Sequence, residues 1–425
     1  MATEVKTGGF YGWWLLFFLW VVYTIPIGFA FYSPAVLYPF MIQELGWSRG
    51  EIMMGFTAMM MLLGLTGPLT AWMLGRFGAR VTLAIGGTIV AIANFLVGTV
   101  GHVYPLYLAL SFLSGIGISF ASVIPVQMVV VSWFNLRRAM AMGLVLGGGA
   151  VGGFLAPQII NQAVRAAGDD WRIGWSIIAL ASVVGVVVAL LAIRNQPADL
   201  GQYPDGRVRQ GMEAGSGTGA TRTYRTPIDW TLRDALKTPA LWFLVIAEVC
   251  SLFLWHVVAT QGPLHLQDRG FDPAMAAFFY SLAVGLSIMG RFTIAAVGDI
   301  IEPRFLFAFG AFCILLGGVL FWFVSPEAMW MAYLYPLLAG FGFGVAYVCF
   351  PTITGNYWGQ RAFAGITGLI SPISMTIHAL VAPLAGFLYD LEGTYFTVMV
   401  ISWLVGAVGL VAIVLCTPPR PKTKK

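Results

Sequence analysis

The sequence predicts an all-α membrane protein of twelve transmembrane helices, arranged as two pseudo-symmetric six-helix bundles. Three observations predict it. Of 425 residues, 59% are hydrophobic and only 10% charged, with a mean hydropathy of +0.84; a soluble domain carries about 25% charged residues. Apolar runs close to the length that spans hydrocarbon, about 20 residues, recur twelve times along the chain. The last six runs also repeat landmarks of the first six.

In chain order, the first run covers 13–39 and opens with FYGWW (10–14). It is too long for a signal-peptide core and lacks a small-residue cleavage site, so it reads as a span. The second, 50–74, follows Leu45-Gly46-Trp47-Ser48, where Ser48 is placed to cap a helix. The third, 81–100, starts after Arg80. The fourth, 105–133, holds YLALSFLSGIG (107–117) and Pro125, and the fifth, 139–164, is glycine-rich. The sixth, 172–193, closes the first half. A hydrophilic stretch, 194–239, is rich in Gly, Ser, Thr and Arg and suits a flexible linker. The seventh run, 240–265, carries Glu248 and His256; the eighth, 273–297, follows a capping Asp272 and contains Arg291. The ninth to twelfth are 305–324, 329–355, 362–388 and 394–416. The expected domains are therefore a bundle at 1–193, a linker at 194–239, and a second bundle at 240–425 that ends in a basic tail.

Orientation follows from Lys and Arg, which accumulate in cytoplasmic connections. Lys6, Arg76, Arg80, Arg137, Arg138, Arg304, Arg361, the linker and the tail fall on one side. Only Arg49, Arg165, Arg172 and Arg269 fall on the other, so both termini are expected in the cytoplasm, in a multi-pass cell-membrane protein. The net charge of +5 then reflects topology, and no nucleic-acid partner is implied. Cys250, Cys313, Cys349 and Cys416 lie within spans without metal-type spacing, so neither metal nor cofactor is expected. No HExxH, G-x-S-x-G or paired-cysteine motif points to an enzyme. GGGAVG (147–152) fits G-x-G-x-x-G, but no strand precedes it; its glycines suit close helix contact instead.

The halves repeat at an offset of about 225 residues. Pro125 matches Pro351, Trp133 and Arg138 match Trp358 and Arg361, and Gly143 and Pro157 match Gly368 and Pro383. Six plus six with duplication is an architecture of transporters whose site lies near the bilayer midplane, where the repeats meet. Gly67-Pro68 aligns with Gly290-Arg291, so the shared scaffold does not require a charge at Arg291. An Arg at a helix centre costs about 2.5–3.5 kcal/mol on insertion scales. It sits about two turns inside the helix end, too deep for easy snorkelling. A structural ion pair and a substrate-anion site both account for it; intramembrane ionisable groups favour the second.

FYGWW, GWSRGEI (46–52), WFNLRRAMAMGLVLGGGAVGGFLAP (133–157), DWTLRDALKTPALW (229–242) and the Arg291–Asp299 spacing together resemble the major facilitator superfamily. Within it they are most similar to the monocarboxylate transporters and the bacterial oxalate/formate exchangers. The resemblance implies the major facilitator fold and transport of small carboxylates. Two departures matter. The loop between the second and third spans, Gly75 to Arg80, lacks the superfamily's usual aspartate before its arginine, though Asp299 offers one in the second half. The eleventh span lacks the lysine of the oxalate exchangers, and Ser374 stands close to its position. One fixed cation suits a monoanion better than a dianion.

Among individual residues, Arg291 offers a planar fork of donors that matches a carboxylate. Tyr280, Val284 and Ser287 share its helical face. Glu248 lies at Arg291's depth on the neighbouring antiparallel span, which lets the two pair, either as a static ion pair or as one that substrate breaks by taking the Arg. The freed carboxylate then binds a proton; His256 is the alternative carrier. Thr367, Ser371, Ser374 and His378 form one face of the eleventh span, suited either to lining a cavity or to interhelical bonding. Gln127, Tyr347, Tyr280 and Tyr32 are further candidate donors. The expected substrate-binding set is thus Arg291, Gln127, Tyr280, Tyr347, Ser374, His378 and Tyr32, with Glu248 and His256 for proton coupling. The expected partners are a small organic anion, a proton and the lipid bilayer, and the expected state is a monomer. The function so implied is secondary active symport of a small monocarboxylate with protons by alternating access, or, alternatively, exchange of the oxalate/formate type without proton coupling.

Overall fold

The computed structural model describes residues 9–206, 223–228 and 230–419. Lys6, Arg207, Arg209, Arg222, Asp229 and the basic tail from Arg420 onward lie outside the described residues. The chain divides into two compact units, Met1–Arg222 and Thr223–Lys425.

In the first unit, the first span is one apolar stretch, Gly12–Leu45, longer at its far end than composition suggested. It is α-helical over Gly12–Thr24, widens to a π-helix over Ile25–Tyr32, and returns to α over Pro34–Leu45. Pro26 has no N–H to give the ladder, which explains the local rearrangement. Ser33 Oγ donates to the Gly28 carbonyl at 2.8 Å and satisfies one acceptor there. The helix Arg49–Leu65 is capped as the sequence predicted: Glu51 N donates to Ser48 Oγ at 3.1 Å, and Ser48 N donates back to Glu51 at 2.7 Å. In the second unit, Met275 N donates to Asp272 Oδ1 at 3.0 Å, which caps Pro273–Val297 likewise.

Among the described residues, two long helices reverse direction within their length. Gly67–Val100 has 34 residues and Met329–Glu392 has 64, whereas about 20 suffice. Each contains one reversal: Gly78 at φ 76°, ψ 172°, and Gly359 at φ 72°, ψ −174°. That backbone region is essentially closed to any residue with a Cβ. Gly78 therefore separates the second and third spans, and Gly359 the tenth and eleventh. The remaining spans are Tyr104–Trp133 (bent at Ser122), Arg138–Ala166, Trp171–Ala192, Pro239–Asp268, Pro273–Val297, Pro303–Phe323 and Phe396–Leu415. Among the described residues, this is an all-helical fold of twelve spans.

Gly78→Ala and Gly359→Ala are expected to lose about 1–3 kcal/mol each, the cost of forcing a Cβ into that region. Gly75→Ala is the control, because a Cβ there meets nothing within 4 Å. Thermal unfolding of the three purified variants checks this: two melting points fall and the third does not.

The glycine-rich fifth span packs on the first, with Gly28 against the Gly152 backbone at distances no larger side chain permits. Close helix contact, not nucleotide binding, is thus what GGGAVG does. Large apolar side chains such as Phe154, Leu180, Leu191, Phe387 and Leu404 remain exposed, as a lipid-facing surface requires.

Both described ends of the connecting stretch are bound to their own unit, which differs from the free linker that composition suggested. Asn195 Oδ1 accepts from Arg80 N at 2.9 Å beside Gly78. Asp205 accepts from the backbone N–H groups of Asn135 and Leu136 at 3.0 and 2.8 Å. These side chains serve the base of a unit whose own loop lacks the expected aspartate. In the second unit, Arg225 pairs with Asp299 at 3.3 Å, Tyr224 N donates to Glu302 at 2.7 Å, and Tyr357 donates to Glu302 at 3.0 Å. The composition of 194–239 is that of a linker, but Asn195, Asp205, Tyr224 and Arg225 within it are anchors.

Candidate functional site

The eighth-span helix, Pro273–Val297, and the tenth-span part of Met329–Glu392 meet through their backbones. A Cβ on Gly340 would strike the Ala283 carbonyl, one on Gly344 the Ser287 carbonyl, and one on Gly290 the Phe341 carbonyl. Helices this close bring side chains one turn apart on the tenth span beside Arg291. Its guanidinium lies over the Tyr347 ring at 4.9 Å and over Phe343 at 5.8 Å. Phe343 is itself stacked on Trp255 of the seventh span, with centroids 4.4 Å apart and planes 6° from parallel. Arg291 is 5% exposed. A cation–π contact of this kind contributes about 2 kcal/mol when desolvated. It offsets part of the cost of the buried charge.

The expected partner of Arg291 is engaged elsewhere. Glu248, buried on the seventh span, accepts from Ser374 Oγ at 2.8 Å through one oxygen and 2.9 Å through the other. The expectation of a Glu248–Arg291 ion pair is corrected accordingly. Matching depth on adjacent helices sets distance from the membrane surface, but rotation about the helix axis decides which neighbour a side chain faces. Glu248 faces the eleventh span.

Ser374 and His378, expected among the anion-binding groups, belong to this second cluster. His378 Nδ1 lies 3.4 Å from Ser374 Oγ, and its Nε2 lies 3.2 Å from the Val249 carbonyl. The His378 ring stacks on His256 with centroids 4.2 Å apart and planes 13° from parallel. His256 Nδ1 points to the Leu252 carbonyl at 2.8 Å. The eleventh-span polar stripe therefore divides: Thr367 bonds within its own helix, to Phe363 O at 2.9 Å, while Ser374 and His378 reach across to the seventh span.

Of the other expected residues, Tyr347 is beside Arg291. Tyr280 is half-buried three turns away on the same helix, and Ser287 donates to Val284 O at 2.6 Å. Gln127 and Tyr32 belong to the first unit; Gln127 is buried on the fourth span, and Tyr32 is 40% exposed with its ring edge-on to Phe31. The reading of the sequence missed Phe343 and Trp255. Phe343 was legible as the residue one turn before Tyr347; nothing in the sequence singles out Trp255 from other aromatic residues of the spans.

The sequence profile of the Major Facilitator Superfamily matches residues 17–383. The chain is 25% identical to monocarboxylate transporter 2 of Homo sapiens over 382 residues, covering 87% of this chain and 79% of that one. It is 24% identical to monocarboxylate transporter 13 of Bos taurus over 335 residues, 77% of this chain and 71% of that protein. Among solved structures it superposes on the transporter FucP in the outward conformation with a TM-score of 0.73 at 14% identity, over 96% of this chain and 99% of that one. It also superposes on the human organic anion transporter MFSD10 with a TM-score of 0.70 at 13% identity, over 95% and 99% of the two chains. By the extent of the profile match, which the fold supports, the chain belongs to the major facilitator superfamily and is a membrane transporter, not an enzyme.

Proposed function

We propose that this transporter moves a small organic monocarboxylate, lactate- or pyruvate-like, together with a proton, by alternating access in the cell membrane. It works as a monomer with both termini in the cytoplasm. The observation that carries this reading is the buried cation Arg291 beside aromatic rings, in a bundle where the buried carboxylate of Glu248 is bonded to a serine. Anion and proton then have separate sites. Arg291 anchors the carboxylate, with Tyr347, Phe343 and Trp255 forming the apolar wall against which the rest of the substrate packs; Tyr280, on the same helix as Arg291, is a further candidate contact. Glu248 takes the proton, with His256 beside it.

The energetics favour coupling. An unneutralised buried charge is costly to carry through a conformational change. A bound proton neutralises Glu248, and a bound carboxylate sets a negative charge beside Arg291, so the fully loaded protein is the one that moves readily. A single cation at the substrate suits a monoanion. Ser374, where the oxalate exchangers place a lysine, is committed to a carboxylate, which makes a dianion less suitable still.

Uptake into proteoliposomes tests this. An inward proton gradient alone is expected to drive accumulation of labelled lactate or another monocarboxylate into anion-free vesicles. A strict requirement for internal carboxylate, with no response to the gradient, would establish exchange and refute symport.

A further inference from the structure

We propose that Glu248, Ser374 and His378 form one shared proton site, in which the Ser374 hydroxyl passes a single proton between carboxylate and imidazole. This rests on the reading of the protein as a proton-coupled carrier. It removes Ser374 and His378 from the substrate site and assigns them to coupling.

The argument is one of counting protons. A serine hydroxyl has a single proton to donate. Ser374 Oγ is within 2.9 Å of both Glu248 oxygens, so against a charged carboxylate that proton points to Glu248. The Val249 carbonyl near His378 Nε2 can only accept, so Nε2 carries hydrogen. In a neutral His378 ring, Nδ1 is then a bare acceptor, and it faces Ser374 Oγ at 3.4 Å with no proton between them. One added proton completes the array, and there are two ways to hold it. In the first, His378 is protonated at Nδ1 and donates to Ser374 Oγ, while Ser374 donates to the Glu248 carboxylate. In the second, Glu248 is protonated and donates to Ser374 Oγ, while Ser374 donates to a neutral Nδ1. The two forms interconvert when the Nδ1 proton moves to Oγ as the Oγ proton moves to the carboxylate. No atom is gained or lost, and the net charge of the three residues is zero in both. Without the added proton their charge is negative and the Oγ–Nδ1 contact is unfavourable.

Among the described residues, no further charged side chain is hydrogen-bonded to Glu248, Ser374 or His378. His256 stacks face to face on His378, so charge on one ring opposes charge on the other; with its Nδ1 turned to Leu252, it fixes the plane of His378 rather than extending the hydrogen-bonded chain. From the helices packed on the seventh span, the ionisable groups besides His378 are Tyr280 and Arg291 on the eighth, Arg304 and Cys313 on the ninth, Tyr333, Tyr335, Tyr347, Cys349, Tyr357, Arg361, Tyr389, Asp390 and Glu392 on the tenth and eleventh, and none on Phe396–Leu415. Cys250 lies beside Glu248 on its own helix. Half-buried His256 marks the edge of the array, whereas Glu248, Ser374 and His378 are buried.

Ser374→Ala and Ser374→Thr in proteoliposomes provide the first readout. Ser374→Ala is expected to lower gradient-driven monocarboxylate accumulation at least about tenfold while equilibrium exchange stays within about threefold of wild type, and Ser374→Thr is expected to restore accumulation. Equal loss of exchange in both variants, or full accumulation by Ser374→Ala, would overturn the proposal. A second readout needs no transport. In infrared pH titrations of purified protein, with bands assigned through Glu248→Gln and His378→Gln, the Glu248 carboxyl stretch and the His378 ring band are expected to change at one common midpoint in wild type and at two in Ser374→Ala. Two independent midpoints in wild type would refute the shared site even if symport holds. A single midpoint in a protein that moves no monocarboxylate would leave the shared site standing and refute the transport reading alone.

Discussion

Replacing Arg291 with Gln is expected to abolish monocarboxylate transport while leaving the protein folded. Two charge-assisted hydrogen bonds to a carboxylate contribute about 1.5–3 kcal/mol each. Their loss amounts to an affinity drop of roughly 100-fold or more. The stability half of the prediction separates the two readings of a buried cation. If Arg291 were a structural partner, its removal would strand a buried carboxylate and lower the melting temperature. Glu248 is already satisfied by Ser374, so Arg291→Gln strands no acid there. It also relieves an insertion cost of about 2.5–3.5 kcal/mol. Arg291→Lys keeps the charge but loses the planar fork and its contact with Tyr347, so an intermediate loss of about tenfold is expected. Paired uptake and thermal-unfolding measurements on the two variants check both halves.

Glu248→Gln is expected to separate coupling from translocation. The amide resembles the protonated acid in charge and shape, and its N–H donates to Ser374 Oγ as the protonated acid does. The variant therefore behaves as a carrier that is permanently loaded with its proton. Exchange of labelled carboxylate across a membrane without a pH gradient should persist within about threefold, because exchange uses only loaded forms. Gradient-driven accumulation should fall at least about tenfold, because net movement requires release of the proton. The direction is fixed by the chemistry: in wild type, exchange slows at alkaline pH as Glu248 loses its proton, and in Glu248→Gln that dependence disappears. Measurement of exchange against pH in both proteins decides it. A variant with the pH profile of wild type would place the coupled proton on another residue.

The helices and their order were legible because hydrocarbon is an exacting solvent. It demands long apolar runs, and it makes a single arginine in one of them conspicuous. Caps at Ser48 and Asp272 were equally legible, since they depend on local chemistry alone. The breaks within long helices were not, because Gly78 and Gly359 stand among many glycines, and only coordinates show which carry a positive φ. The site divided in the same way. That Arg291, Tyr347, Glu248, Ser374 and His378 stand out as polar or aromatic groups within spans could be read directly. Their pairing could not, because it depends on the rotation of each helix about its axis. Glycines at 340 and 344 bring the tenth span against Arg291, and Glu248 turns to the eleventh. The stripe from Thr367 to His378 was recognised as one face of a helix, but a face does not name its partner, and half of it proved to serve Glu248.

The most direct test of the account is calorimetric titration of purified wild type and Arg291→Gln with lactate and with lactamide, its uncharged counterpart, extended to pyruvate, a short fatty acid and an aromatic acid. Wild type is expected to bind at least one of these carboxylates but not the amide, and Arg291→Gln to bind that carboxylate about 100-fold more weakly or not at all. Equal binding by both proteins, or binding of the amide as tightly as of the acid, would contradict the assignment of Arg291 as the anchor of an anionic substrate.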